Sequence, residues 1–160
     1  MNYKKIFLAM LVSFLLIGSA CAAGVNDFKV DSNYKNVYSG KYYSVYTQDN
    51  NSGILIFKNV DDDVYEHVDN DDIMEGIIHH DGREYITPDD DMTIEKNQDN
   101  TTNFKDLDHA TQGISEVINV NGEQYIVVVW AKNSANIDMA KLSSILNDFN
   151  KNNNVSPIAH

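Results

Sequence analysis

The dipeptide Asn121-Gly122 lies between two long runs of apolar and β-branched residues, and no other feature of the sequence constrains the fold as strongly. The first run covers residues 114–120 and the second covers residues 123–131. Asn-Gly is the preferred pair for the two-residue type I′ turn, because both positions need a positive φ angle. The sequence therefore predicts a long β-hairpin in this part of the chain.

The second arm of this hairpin is apolar on both faces of the predicted strand. Its alternating residues are Tyr125, Val127 and Val129 on one face, and Ile126, Val128 and Trp130 on the other. A strand that is buried on both faces belongs in the middle of a sheet, with a further layer of structure packed over it. We therefore interpret Trp130, the single tryptophan of the chain, as a core residue.

An amphipathic segment follows the hairpin and can provide this further layer. Ser134 or Asn136 can cap the start of a helix, and Asp138 then falls in its first turn, where it suits the helix dipole. The apolar positions with helical spacing are Ile137, Ala140, Leu142, Ile145, Leu146 and Phe149. The pattern predicts a C-terminal helix that lies over Val127 and Val129.

The rest of the chain is predicted to form short strands that are separated by turns. These strands cover residues 42–48, 54–60, 92–97 and 102–108, with a further hairpin at 76–87 around Asp81-Gly82. Residues 61–75 are predicted to form a short helix that runs into an acidic loop, and residues 25–41 a polar lead-in. Together the elements predict an α+β fold: an antiparallel sheet of about six or seven strands packed by a C-terminal helix, in one domain over residues 23–160.

The first segment of the chain has the pattern of a secretory signal peptide. Two lysines precede an apolar run over residues 6–17, which is short for a membrane span. The small residues around Cys21 fit the cleavage rule, so residues 1–22 are predicted to be removed. Two alternatives stay open: a lipoprotein that carries its lipid on Cys21, and an uncleaved anchor. We expect a secreted or cell-surface protein with no membrane span in its mature chain.

The chain is strongly acidic, and its charge is unevenly distributed. Lys+Arg number 12 against 24 Asp+Glu, a net charge of −12, which disfavours nucleic acid as a partner because phosphates require clustered Lys and Arg.

Residues 61–108 hold 17 of the 24 carboxylates. Ca²⁺ prefers such oxygen ligands on loops, and the candidate ligands are Asp61, Asp63, Asp89 and Asp91. No EF-hand loop fits, so a Ca²⁺-binding module through residues 61–91 stays an alternative to a solvated acidic surface.

The sequence contains no recognisable catalytic motif. It has no GxSxG elbow and no glycine-rich phosphate loop. His79 and His80 are adjacent, so on a strand their side chains point to opposite faces and cannot both reach one metal ion. We expect a non-enzymatic domain that binds an extracellular or envelope partner, without catalytic residues or a resident cofactor. A small hydrolase that uses a pair of carboxylates stays open as a further alternative.

Four segments of the C-terminal half carry a resemblance to a known group of proteins. They are GISEVI at 113–118, NGEQYIV at 121–127, NDFNKNN at 147–153 and VSPI at 155–158. DFKV at residues 27–30 and the high content of Asn, Asp and Tyr agree with them. In these segments the chain resembles small exported proteins of unknown function from methanogenic archaea. The resemblance implies an exported α+β domain and assigns neither an activity nor functional residues.

Overall fold

The computed structural model describes residues 24–49, 51–58, 79–80, 83–84, 92–106 and 110–155. These residues contain nine strands and one α-helix. The elements are β1 (Lys35–Ser39), β2 (Tyr43–Gln48), β3 (Ser52–Lys58), β4 (His79–His80), β5 (Arg83–Glu84), β6 (Met92–Lys96), β7 (Thr101–Asp106), β8 (Thr111–Val120), β9 (Glu123–Lys132) and α1 (Met139–Asn153).

Seven of these strands form one antiparallel sheet with the spatial order β1-β2-β3-β9-β8-β7-β6. β4 and β5 pair with each other in a separate two-stranded sheet. The helix α1 packs against β8 and β9, in the middle of the larger sheet. This architecture confirms the predicted α+β fold with its antiparallel sheet and C-terminal helix. Within the described residues, no helix combines the length and the apolar character that crossing a membrane requires.

The central hairpin forms as its turn residues predict. Val120, the last residue of β8, pairs with Glu123, the first residue of β9. Asn121 and Gly122 have φ angles of 55° and 87°, which are the positive values that a type I′ turn requires. The side chain of Asn119 adds a hydrogen bond, because its Oδ1 accepts from the backbone N–H of Gly122 at 3.0 Å. Local turn chemistry therefore sets the register of the two longest strands.

β9 is buried on both faces, as expected for a central strand. On the helix side, Val127 and Val129 share one apolar cluster with residues of α1: Leu142, Ile145, Leu146 and Phe149. On the opposite side, Ile126, Val128 and Trp130 belong to a second cluster. Trp130 is 3% exposed, so its predicted place in the core is confirmed.

Two glycines within strands make room for large rings on the face of the sheet away from α1. Trp130 in β9 is paired with Gly53 in β3 and with Gly113 in β8. A Cβ atom on Gly53 would lie 2.7 Å from the indole of Trp130, and one on Gly113 would lie 2.2 Å from the ring of Phe104. The missing Cβ atoms therefore let both rings approach the backbone of the sheet closely.

The start of α1 differs from the prediction. Asp138 is the N-cap, and its Oδ1 accepts a hydrogen bond at 2.8 Å from the backbone N–H three residues further on. The prediction that Ser134 or Asn136 caps the helix was wrong, because Ser134 lies in a 3₁₀ turn over Asn133–Ala135 and Asn136 ends that turn in the left-handed conformation. Ala140, which was predicted for the apolar stripe, is exposed.

The prediction of a polar lead-in over residues 25–41 was wrong in two ways. Its second half forms the edge strand β1, which is paired with β2 through an irregular register. Its first half contributes Val25 and Phe28 to the apolar cluster on the helix side. The ring of Phe28 lies 5.0 Å from that of Tyr125 and 5.6 Å from that of Phe149, measured between centroids. This segment is therefore part of the core layer.

The predicted hairpin around Asp81-Gly82 is described only in part. β4 and β5 flank Asp81-Gly82 and pair antiparallel, with His79 opposite Glu84, which agrees with the predicted hairpin. The predicted signal peptide over residues 1–22 and the predicted helix over residues 61–75 lie outside the described residues. Both stay predictions from the sequence.

Candidate functional site

A groove with a volume of about 290 Å³ opens between three parts of the chain on the helix side of the sheet. Its walls come from the segment before β1, from β2 and β3, and from α1. The lining residues are Asp31, Asn33, Tyr34, Gln48, Ile54, Ile137, Lys141, Ile145, Asp148, Phe149 and Asn152. The volume is close to the lower end of the range for small-molecule sites, about 300–1,000 Å³.

The helical wall of the groove follows from the periodicity of α1. Lys141, Ile145, Asp148 and Asn152 recur at intervals of three or four residues, so they share one stripe of the helix. This stripe lies beside the buried stripe that holds α1 to the sheet. The helix therefore presents a mixed apolar and charged edge to the groove.

The opposite wall is held in place by hydrogen bonds to its backbone. The N–H of Tyr34 donates to the carbonyl of Asp31 at 3.0 Å, and the N–H of Asn33 donates to the Asp31 carboxylate at 2.8 Å. The side chain of Asn153 at the end of α1 makes two hydrogen bonds to the backbone of Lys29, at 2.7 Å and 3.0 Å. This wall is thus fixed both by its own turn and by the helix.

Tyr34 provides the phenol of the groove and is partly buried. Burial raises the pKa of Tyr34, a hydrogen bond with the side chain of Ser52 acts against this rise, and the carboxylate of Asp31 adds to it. The phenol is therefore uncharged at neutral pH. Its oxygen can act as both donor and acceptor of hydrogen bonds.

The mouth of the groove carries four exposed polar side chains: Gln48, Lys141, Asp148 and Asn152. Within the described part of the chain, these side chains form no hydrogen bond and no ion pair with one another or with their neighbours. Ile137 and Ile145 also line the groove, are partly exposed, and pack against the apolar cluster on the helix side. The arrangement offers an apolar floor and a rim of amide, carboxylate and ammonium groups, which can recognise a ligand by hydrogen bonding.

The structure does not test the residues predicted to bind Ca²⁺. Asp61, Asp63, Asp89 and Asp91 lie outside the described residues. In the ranges that the structure describes, no three His, Cys, Asp or Glu side chains are grouped so that they could hold a metal ion. The Ca²⁺ hypothesis therefore stays a prediction from the sequence.

Sequence reasoning missed the groove because its walls come from distant segments. The helical stripe that includes Asp148 and Asn152 was the one available signal, since it is adjacent to the predicted apolar stripe. Nothing in the local sequence around Tyr34 indicates that this residue faces α1.

Sequence reasoning also missed a polar pair under the helix. Glu116 in β8 is 3% exposed, and the side chain of Asn150 in α1 donates a hydrogen bond to its carboxylate. Burial raises the pKa of Glu116, the bond from Asn150 acts against this rise, and the charge of Asp99 adds to it. The sequence pattern of β8 does not predict a buried carboxyl group.

Comparison with known proteins adds no further assignment. No family model, no curated protein and no solved structure matches the chain. The groove and the Glu116–Asn150 pair are therefore interpreted from their own geometry and chemistry.

Proposed function

We propose that the chain is an exported domain that acts outside the cell or at its surface by binding, with the groove as its binding site. The observation that supports this proposal is the convergence of three separate segments on one open groove of about 290 Å³. An apolar floor with a few convergent polar groups is the usual composition of a small-molecule site. The export pattern of residues 1–22 suggests the compartment.

The lining favours a sugar unit as the ligand. A sugar ring combines a face of C–H groups with a belt of hydroxyl groups, which suits the partly exposed Ile137 and Ile145 beside side-chain amides and carboxylates. Among its described residues, the lining carries the carboxylates of Asp31 and Asp148 and one ammonium group, that of Lys141. Together with the net charge of −12, this balance favours neutral or amino sugars over acidic ones. The proposed partner is therefore an extracellular or envelope glycan.

An NMR titration of the isotope-labelled protein with neutral, amino and acidic sugars tests the proposal. We expect neutral and amino sugars to shift the resonances of the groove residues at millimolar concentration, and acidic sugars to bind more weakly. The proposal is refuted if no sugar of the three classes shifts the lining resonances.

A pair of matched variants separates the groove from the rest of the helix surface. Asn152→Ala removes a rim amide, and we expect the Kd to rise by about two- to tenfold, the usual effect of one hydrogen bond. Asn147→Ala removes an exposed amide from the same helix, outside the groove lining, and should leave the Kd unchanged. Equal effects of both variants would contradict binding in the groove.

Ca²⁺ binding through residues 61–91 is a second proposal and rests on a separate observation. Residues 61–108 carry 17 of the 24 carboxylates, which is the kind of oxygen-rich segment that Ca²⁺ prefers. The two proposals are independent, since the groove residues belong to other parts of the chain.

A further inference from the structure

Glu116 lies on the face of β8 that α1 covers. Its paired neighbours are Val127 in β9 and Thr101 in β7, and Asn150 of α1 contacts it from above. The Nδ2 group of Asn150 donates to Oε2 of Glu116. This bond therefore connects the C-terminal half of the helix to the middle of the sheet.

The Asn150 side chain is left half satisfied when Glu116 is ionised. Asn150 is 8% exposed, and its Oδ1 has no hydrogen-bond partner in the described structure. An ionised carboxylate only accepts hydrogen bonds, whereas a protonated carboxyl group also donates one. Protonated Glu116 can therefore donate to Oδ1 of Asn150 while Nδ2 of Asn150 donates back, which gives Oδ1 the partner that it lacks.

The surroundings of Glu116 favour the uncharged form. Among the described residues, the charged group that acts on it is Asp99, in the turn before β7, and Asp99 is itself an acid. Thr101 and Val127 are neutral, and the charged residues beside Asn150 on the helix are exposed to solvent. Within the described ranges, no cation pairs with the carboxyl group to offset the cost of burying its charge.

We propose that Glu116 and Asn150 form a proton-sensitive latch that holds the C-terminal half of α1 on the sheet. The latch is closed by two hydrogen bonds when Glu116 is protonated, and it weakens when Glu116 ionises. The carbonyl of Asn150 accepts from the backbone N–H groups of Asn154 and Val155, so the end of the helix depends on the position of this residue. The latch requires no ligand and stands apart from the proposed function of the groove.

The direction of the pH effect follows from the position of the proton. The folded chain holds the proton of Glu116 more tightly than the unfolded chain does. The latch therefore stabilises the fold fully below pH 4.5, the usual pKa of a glutamate. This stabilisation is lost as the pH rises through the raised pKa that Glu116 has in the folded chain. The helix end should therefore loosen toward neutral pH.

Two NMR measurements on the full chain test this proposal. Carboxyl-carbon shifts follow the titration of Glu116 directly, and we expect a midpoint above 4.5. Amide hydrogen exchange at Asn154 and Val155, corrected for intrinsic rates, should show protection that is highest below pH 4.5 and falls severalfold as the pH rises toward neutral.

The variant Glu116→Gln closes the latch at every pH, because its side-chain amide donates to Oδ1 of Asn150 and accepts from Nδ2. We expect its helix-end protection to stay constant over the same pH range. Glu95→Gln, which neutralises an exposed glutamate on β6, is the matched control and should behave like the parent chain. A Glu116 midpoint at or below 4.5, or parallel protection profiles in Glu116→Gln and the parent, would overturn the proposal. The titration of the unaltered chain decides the question even if a variant fails to fold.

Discussion

Replacing Gly113 with alanine should destabilise the fold more than the same change at Gly53, the other strand glycine of the described residues. The new Cβ would lie 2.2 Å from two ring carbons of Phe104 and 2.7 Å from the carbonyl oxygen of Val129. Favourable contacts between carbon atoms lie at about 3.5–4.0 Å, so the ring would have to move by more than about 1 Å. Phe104 is 1% exposed and Val129 is fully buried in the central strand, so neither can move freely.

The size of the stability loss in Gly113→Ala depends on the contact with the backbone carbonyl of Val129. Overpacking of a well-packed core costs about 1–3 kcal/mol when side chains can adjust. Because the carbonyl of Val129 belongs to β9 and cannot rotate away, we expect a cost at the upper end, about 3 kcal/mol. In a chain of this size each kcal/mol lowers Tm by about 2–4 °C, so Gly113→Ala should melt about 6–12 °C below the parent.

Thermal unfolding followed by circular dichroism measures this difference. Gly24→Ala is the control, because the nearest atom to its Cβ is a carboxylate oxygen of Asp27 at 3.3 Å, at the tip of a side chain that can move. The double variant Phe104→Leu/Gly113→Ala should recover part of the loss, since the smaller side chain removes the ring contact but not the carbonyl contact. A Gly113→Ala protein that melts within about 1 °C of the parent would refute the packing argument.

The other predictions concern the core, the helix start and the acidic region. Val129→Asp should cost several kcal/mol in denaturant unfolding, because it buries an unpaired charge under α1, and a parent-like transition would contradict the strand assignment. Asp138→Ala should lower the free energy of unfolding by about 1 kcal/mol through loss of the N-cap, measured in the same way. Ca²⁺ should raise Tm beyond NaCl at matched ionic strength if residues 61–91 hold a specific site, and changing Asp89, Asp90 and Asp91 to Asn should abolish this excess. Equal shifts with both salts would leave a solvated acidic surface.

Local chemistry determined the parts of this protein that the sequence predicts well. Asn121-Gly122 favours a type I′ turn between two strands. These two adjacent residues therefore determine both the hairpin and its register. The alternation along β9 and the helical stripe of α1 describe which face of each element is buried. These signals depend only on residues that are close in sequence. They can be recognised without knowing which strand or helix packs against the element. They were sufficient for the α+β class and for the position of Trp130 in the core.

Contacts between distant segments decided the rest. Val25 and Phe28 look like members of a polar lead-in until the ring of Phe149, more than a hundred residues later, packs against Phe28. The edge strand β1 is mostly exposed, so it has little apolar alternation for a sequence pattern to detect. Its pairing becomes visible only when β2 is in place beside it.

The candidate site depends on the same long-range contacts. The groove exists because a segment before β1 and a helix at the end of the chain meet over Ile54, and no stretch of sequence contains both walls. Glu116 lies between Ile114 and Ile118 on one face of β8, where its charge would ordinarily indicate a solvent-facing residue. The arrival of α1 and the side chain of Asn150 make it a buried acid. The sequence determined which faces are apolar, and only the tertiary structure decided which polar groups those faces enclose, because burial and a raised pKa arise from contacts between segments.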